Sequence, residues 1–186
     1  MPMPFSSLRL EVPELILITP QSFEDERGWF MERFKQSEFS ALGIEDTFVQ
    51  DNVSYSSYGV LRGLHFQIAP AAQAKLVTVL QGEIFDVAVD LRPDSASYGV
   101  WSGATLTAAH GETLYIPAGF AHGFLVTSPD ALVFYKCSAE YNPQCERGVA
   151  WNDPTIGIRW PIENPTVSEK DKKFPLLRER PSEVVT

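Results

Sequence analysis

The sequence predicts an all-β fold, a sandwich or barrel of short strands, and three observations carry that reading. Apolar segments recur at intervals of about 10 residues through the second half of the chain. Gly, Pro, Asn or Asp closes them, as turns between short strands require. Only one stretch carries helix signals at both ends. Hydrophobic residues make up 44% of the 186, enough to bury a sizeable core, and 21% are charged, which excludes wholesale disorder.

In chain order, Glu14–Pro20 (ELILITP) reads as a strand ended by proline. Gly28–Phe34 (GWFMERF) alternates loosely behind the polar turn EDERG. Ser37–Ile44 (SEFSALGI) is the helix, with Ser37 as its N-cap and Gly43 at its end. AKLVTVLQG and EIFDVAVDLRP are strands, with Gly82 at the turn between them and Pro93 closing the second. YGVWSGATLTA, ETLYIPAG, GFLVTS and ALVFYKCSAEY follow as further strands. Ser168–Leu177 (SEKDKKFPLL) is a short helical or irregular tail, and Arg178–Thr186 is expected to fray. No repeat, low-complexity tract or linker interrupts the chain, so residues 1–186 are expected to form one domain.

The formal charge of −9 argues against a nucleic-acid partner, which needs a broad basic surface. A small anionic ligand remains open if a few Arg and Lys gather locally. The N-terminal MPMPFSSLRL lacks the basic-then-apolar pattern of a signal peptide. No apolar run approaches the ~20 residues that cross a bilayer, so no membrane partner is expected. Cys137 and Cys145 read as free thiols in a reducing cytoplasm.

The segment Gly59–Gln67, GVLRGLHFQ, sets the chemical problem. It reads as a strand, yet it contains Arg62 and His65, three positions apart, which regular alternation sends to opposite faces. Arginine enters a strand core chiefly where an anion pairs with it. Glycine within a strand often marks a bulge, and one extra residue shifts the alternation by one. A bulge near Gly63 would turn both side chains into one cavity.

One class of small β-barrel holds a metal with a His-x-His pair, a nearby Glu, and a third His after a Pro-x-Gly turn. Pro117-Ala-Gly119-Phe-Ala-His122 fits the last part, but the pair here reads His65-Phe-Gln67. Two histidines and an amide suit a divalent transition metal poorly, so no metal and no other cofactor is expected. His65 and His122 can then perform proton chemistry, or each can be a neutral ring holding one hydrogen bond. Lys75, Arg27 and Val49-Gln50-Asp51-Asn52 suit an anionic ligand and a nucleobase edge, or are solvated surface.

With DERGWF, VQDN, LRGLHFQ, GEIFDVAVDLR, IPAGFAHGF, YKCSAEY, WNDPTIGIRWP and SEKDKKFPLL in this order, the chain resembles the dTDP-4-dehydrorhamnose 3,5-epimerase family from about Leu8 to Leu177. The resemblance implies a cupin-type jelly-roll barrel, a metal-free site, and a homodimer that exchanges N-terminal strands. The implied substrate is a dTDP-sugar, and the implied reaction inverts C3 and C5 of dTDP-4-dehydro-6-deoxy-glucose. Carried over by motif, His65 is the base, Asp171 its carboxylate partner, Tyr135 the proton donor, and Lys75 the cation at the C4 oxygen. Tyr135 on spacing alone is a core aromatic. Arg62 matches a diphosphate contact and His122 a binding group. Arg27, Glu32, Gln50, Asp51 and Asn52 match nucleotide-side contacts, some reaching across the dimer. Glu146 and Lys170 match ligand-binding positions, and Tyr141 one that shapes how the sugar ring turns over. The Ala-rich QIAPAAQAKL loop and Phe134 depart modestly from the pattern. Some relatives invert only C3 or only C5, and the motifs do not separate them. A non-catalytic nucleotide-sugar binder and a metal-dependent cupin are the readings from other classes.

Overall fold

The computed structural model describes residues 4–180 and 185. Two antiparallel sheets face one another. The strands are β1 (Phe5–Arg9), β2 (Ile16–Pro20), β3 (Ser22–Asp25), β4 (Gly28–Met31), β5 (Gln50–Ser57), β6 (Val60–Gln67) and β7 (Lys75–Gln81). They continue with β8 (Glu83–Asp90), β9 (Trp101–Thr107), β10 (Thr113–Ile116), β11 (Phe120–Val126), β12 (Asp130–Cys137), β13 (Glu146–Gly148) and β14 (Thr166–Val167). The first sheet runs β1-β2-β10-β7-β12-β5 and the second β13-β6-β11-β8-β9, with β14 added in parallel to β6. From β5 to β8, and again from β9 to β13, successive strands cross from one sheet to the other. This is the cupin-type jelly-roll barrel that the resemblance implied.

Alternation along the strands fills the space between the sheets. Val77, Val79, Ile84, Ala88, Phe120, Phe124, Ala131 and Val133 are buried there together. The same inward rows carry polar side chains at one end, namely Lys75, Asp86, His122, Tyr135 and Cys137. Strand β11 is buried at every position because both its faces are covered, which is why its sequence shows no alternation. On its outer side the second sheet packs Leu64, Phe66, Val89 and Ala121 against Val149, Ile156, Leu177 and Val185.

Two expectations about boundaries are corrected. Helix α1 spans Gln36–Ala41 with Lys35, not Ser37, at its N-cap, and no side chain caps it. The register follows Phe39, which is fully buried against the rings of Phe5 and Phe34, so packing overrides the local cap signal. Its end is as expected. Gly43 has φ +89, and Ile44 N–H and Gly43 N–H return to the Phe39 and Ser40 carbonyls.

The tail expected to fray is in part docked. Leu177–Glu179 form a 3₁₀ turn, the Arg180 guanidinium lies 4.5 Å from the centre of the Phe66 ring, and Val185 is buried. The second sheet's apolar outer face has to be covered, and this segment covers it. The rest of that expectation falls on residues 181–184 and 186, outside the described residues.

Candidate active site

The strand that posed the problem is bulged. His65 pairs with His122 and Arg62 with Phe124, so three steps along β6 answer two along β11. Gly63 takes φ +139, and a Cβ there would stand 2.5 Å from Gly123 Cα. One on Gly123 would stand 2.8 Å from the Arg62 carbonyl oxygen. Two glycines therefore let the strands close over the extra residue. Leu61, Leu64 and Phe66 consequently all join the second sheet's outer apolar clusters. Arg62 and His65 emerge together on the other side and line one cavity of about 430 Å³ with Lys170 and Asp171.

His65 also lines a neighbouring cavity of about 260 Å³ with Gln50, Asn52, Lys75, Tyr135, Cys137, Tyr141 and Glu146. The imidazole comes from the second sheet, and the Lys75 and Tyr135 side chains from the first. Asp171, in the 3₁₀ turn Asp171–Lys173, lies 2.9 Å from His65 Nε2 through Oδ1. Its Oδ2 accepts the Gly63 N–H at 3.2 Å. Burial alone would raise the Asp171 carboxyl, but the His65 hydrogen bond and charge and the Gly63 N–H outweigh it and pull it below the ordinary range. An ionised carboxylate only accepts, so His65 carries its proton on Nε2 and keeps the Nδ1 lone pair. The Phe174 ring backs the imidazole edge-on, with centroids 5.5 Å apart. Gly148, paired with His65 across β13, makes room for it, since a Cβ there would stand 2.5 Å from that ring.

Lys75 is buried at the opposite wall and makes no hydrogen bond or ion pair among the described residues. Burial lowers its pKa, opposed by the charges of Cys137, Asp86 and Glu146. Burial also pushes the Tyr135 phenol up, with Arg62 pulling the other way, so at neutral pH it is a protonated donor. His122 lies beneath, its Nε2 2.7 Å from Asp86 Oδ1, and burial lowers its pKa against the pull of that carboxylate.

A chain of hydrogen bonds rims the cavity. Lys170 Nζ is 2.6 Å from Glu146 Oε2, which also accepts the Tyr141 hydroxyl at 2.8 Å. The Tyr141 N–H donates to Gln50 Oε1 at 2.7 Å, and Gln50 Nε2 to Asn52 Oδ1 at 3.0 Å. Burial would raise Glu146, but the bonds from Lys170 and Tyr141 bring it below its usual value.

Four expected residues do not line these cavities: His122, which lies beneath, and three that lie further off. Asp51 points to the other face of β5 and pairs with Lys136 at 2.7 Å, because neighbours on a strand alternate. Arg27 sits in the β3–β4 turn, where its side chain binds Asp25. Glu32 follows β4, and neither cavity includes it. Gln67, at the would-be metal position, is spent on the backbone, donating to the Ala71 and Glu140 carbonyls and accepting the Asn142 N–H. Among the described residues, no group of three or more His, Cys, Asp or Glu is placed to hold a metal ion. The sequence reading missed Phe174, Cys137 as a wall of the cavity, and Asp86. An aspartate at the centre of EIFDVAVD was the available signal for Asp86.

The sequence model for dTDP-4-dehydrorhamnose 3,5-epimerase matches residues 9–179. This chain belongs to that epimerase family. A curated relative of that name from Methanothermobacter thermautotrophicus is 48% identical over 180 residues, which cover 95% of this chain and 97% of the relative. The solved dTDP-6-deoxy-D-glucose-3,5-epimerase of Legionella pneumophila, in complex with dTDP-4-keto-L-rhamnose, superposes with a TM-score of 0.90 at 44% identity, covering 94% of each chain. A 3'-monoepimerase from Streptomyces bikiniensis, in complex with dTDP-quinovose, is similar at 34% identity and a TM-score of 0.85, covering 91% of this chain and 86% of its own. The epimerase fold thus spans nearly the whole of the described chain.

Proposed function

We propose that this protein is a dTDP-4-dehydrorhamnose 3,5-epimerase, inverting C3 and C5 of dTDP-4-dehydro-6-deoxy-glucose. One observation carries the reading. An imidazole held by a carboxylate and a protonated phenol reach one cavity from facing sheets, with an unpaired lysine on the phenol's side. The substrate's C4 ketone acidifies the hydrogens on both neighbouring carbons. His65 Nδ1 removes one as a proton and leaves an enolate, whose oxygen takes the Lys75 ammonium. Tyr135 returns a proton to the opposite face of that carbon. The imidazolium and phenolate then reset by exchange with solvent, and the cycle repeats at the second carbon. No electrons change hands, so the reaction calls for no redox cofactor.

Arg62 and Lys170, side by side on the second cavity, take the diphosphate, for which a guanidinium fork is suited. Gln50 and Asn52 hold the sugar-nucleotide side, Glu146 and Tyr141 guide the ring, and His122 binds from below. Arg27, Glu32 and Asp51 serve the nucleotide end. Arg27 and Glu32 do so from a second copy of the chain, in a cytoplasmic homodimer of single-domain protomers. The β3–β4 hairpin supports this arrangement. It joins neither main sheet, and it exposes Trp29 at 62% and Phe30 at 66%. A two-stranded ribbon on its own is marginal in water, so a partner surface over it answers both facts.

Incubation with dTDP-4-dehydro-6-deoxy-glucose in deuterated water tests the reaction. The expected result is deuterium at both C3 and C5, reduced by roughly 10²–10⁴-fold at both carbons in His65→Asn. Exchange at C3 alone would instead make the protein a mono-epimerase. Tight dTDP binding with no exchange would make it a binding protein.

A further inference from the structure

The mechanism leaves one buried ionic group unused. Asp86 lies on β8 between Ile84 and Ala88, which are fully buried core residues of the barrel, and is itself 0% exposed. Its Oδ1 meets His122 Nε2 at 2.7 Å, while its Oδ2 has no hydrogen-bond partner. A half-satisfied carboxylate in an apolar core costs stability, and a hydrocarbon side chain of similar size would serve packing better.

Other ionisable groups lie around it. Lys75 faces the same interior without an ion pair, and the neighbouring Asp86 and Glu146 favour its charged form. Glu146 is already bound to Lys170 and Tyr141 at the rim. The Cys137 thiol is pushed up by burial, against the pull of Lys75, and so stays neutral. Burial likewise favours a neutral His122. Asp86 is left as the buried carboxyl group with one oxygen unpartnered.

We propose that Asp86 is a positioning residue for the epimerisation, fixing the His122 ring through one oxygen. The proposal rests on the epimerase reading above. Asp86 touches no reacting atom. It keeps the His122 proton on Nε2, so Nδ1, which has no partner among the described residues, is an acceptor for a substrate hydroxyl.

Asp86→Asn keeps the shape and removes the charge. In the deuterium assay, exchange at both carbons should fall roughly 100-fold per folded molecule, with KM changed by less than about threefold. The other titratable groups facing Lys75 and His122, namely Cys137, Glu146 and His65, are unaltered in this variant. Lower stability with unchanged exchange and KM would mean a structural role only and would overturn the proposal.

Nitrogen-15 spectra of histidine-labelled wild-type protein need neither turnover nor a folded variant. The proposal requires His122 protonated on Nε2, and the opposite tautomer would overturn it. Wild-type protein that exchanges neither carbon would instead remove the epimerase reading, and this proposal with it.

Discussion

At the scale of single residues, side chains that look misplaced in the sequence are gathered by the fold. Arg62 and His65 in an apolar strand were legible as a ligand pair, and they do share a cavity. Asp90 shows the same logic serving stability. Its side chain is fully buried at the end of β8 and accepts from the Arg92 side chain at 2.6 and 2.9 Å. It also accepts from the hydroxyls of Ser95 and Ser97 at 2.5 and 2.7 Å. Burial would raise this carboxyl, but Arg92, Ser95 and Ser97 together bring it from 3.8 to about 2. The folded-state pKa is depressed, so the stabilisation is complete above the unfolded value near 3.9 and is lost as pH falls towards about 2. Asp90→Asn should therefore cost about 2 kcal/mol at neutral pH and almost nothing near pH ~2. Urea melts of both proteins across that range would check it. An equal cost at every pH would show that packing, not charge, stabilises this turn.

At the scale of elements, the bulge in β6 couples fold to function. It places Arg62 and His65 on one side and sends Leu61, Leu64 and Phe66 to the apolar clusters on the other. Gly63→Ala strikes both requirements, because φ is +139 and the new methyl would stand 2.5 Å from Gly123 Cα. The expected loss is roughly 2–4 kcal/mol of stability, together with weaker exchange activity as His65 leaves Asp171. A denaturant melt reads the first and the deuterium assay the second. The sequence signalled this bulge only through a glycine between two charged residues. It carried no comparable signal for the polar β5 or for the short β1, β3, β13 and β14, which gain strand structure from the neighbours they pair with. The helix start was misread for a similar reason, since the burial of Phe39 decides it and not the nearest serine.

At the scale of the whole molecule, a chain of formal charge −9 concentrates Arg62, Lys75, His65, His122 and Lys170 around two adjoining cavities. That local reversal suits an anionic ligand in a chain of negative overall charge. The exposed hairpin extends the argument beyond one chain. Replacing Trp29 and Phe30 together with serine should shift the protein from dimer to monomer in analytical ultracentrifugation. It should also raise KM for the dTDP-sugar, because Arg27 no longer reaches a partner's site. A double variant that remains dimeric with unchanged KM would place the interface elsewhere.

The sequence by itself determined the all-β class and most of the barrel strands, because strand periodicity is a local property. Tertiary structure alone decided which polar residues face the same cavity. It sent Asp51 away from Gln50 and Asn52, tied Gln67 to the backbone, brought Asp171 to His65 across more than a hundred residues, and enclosed Asp86 beneath His122. Such proximities arise only when bulges, register and long-range pairing are fixed together, and no short segment of chain contains that information.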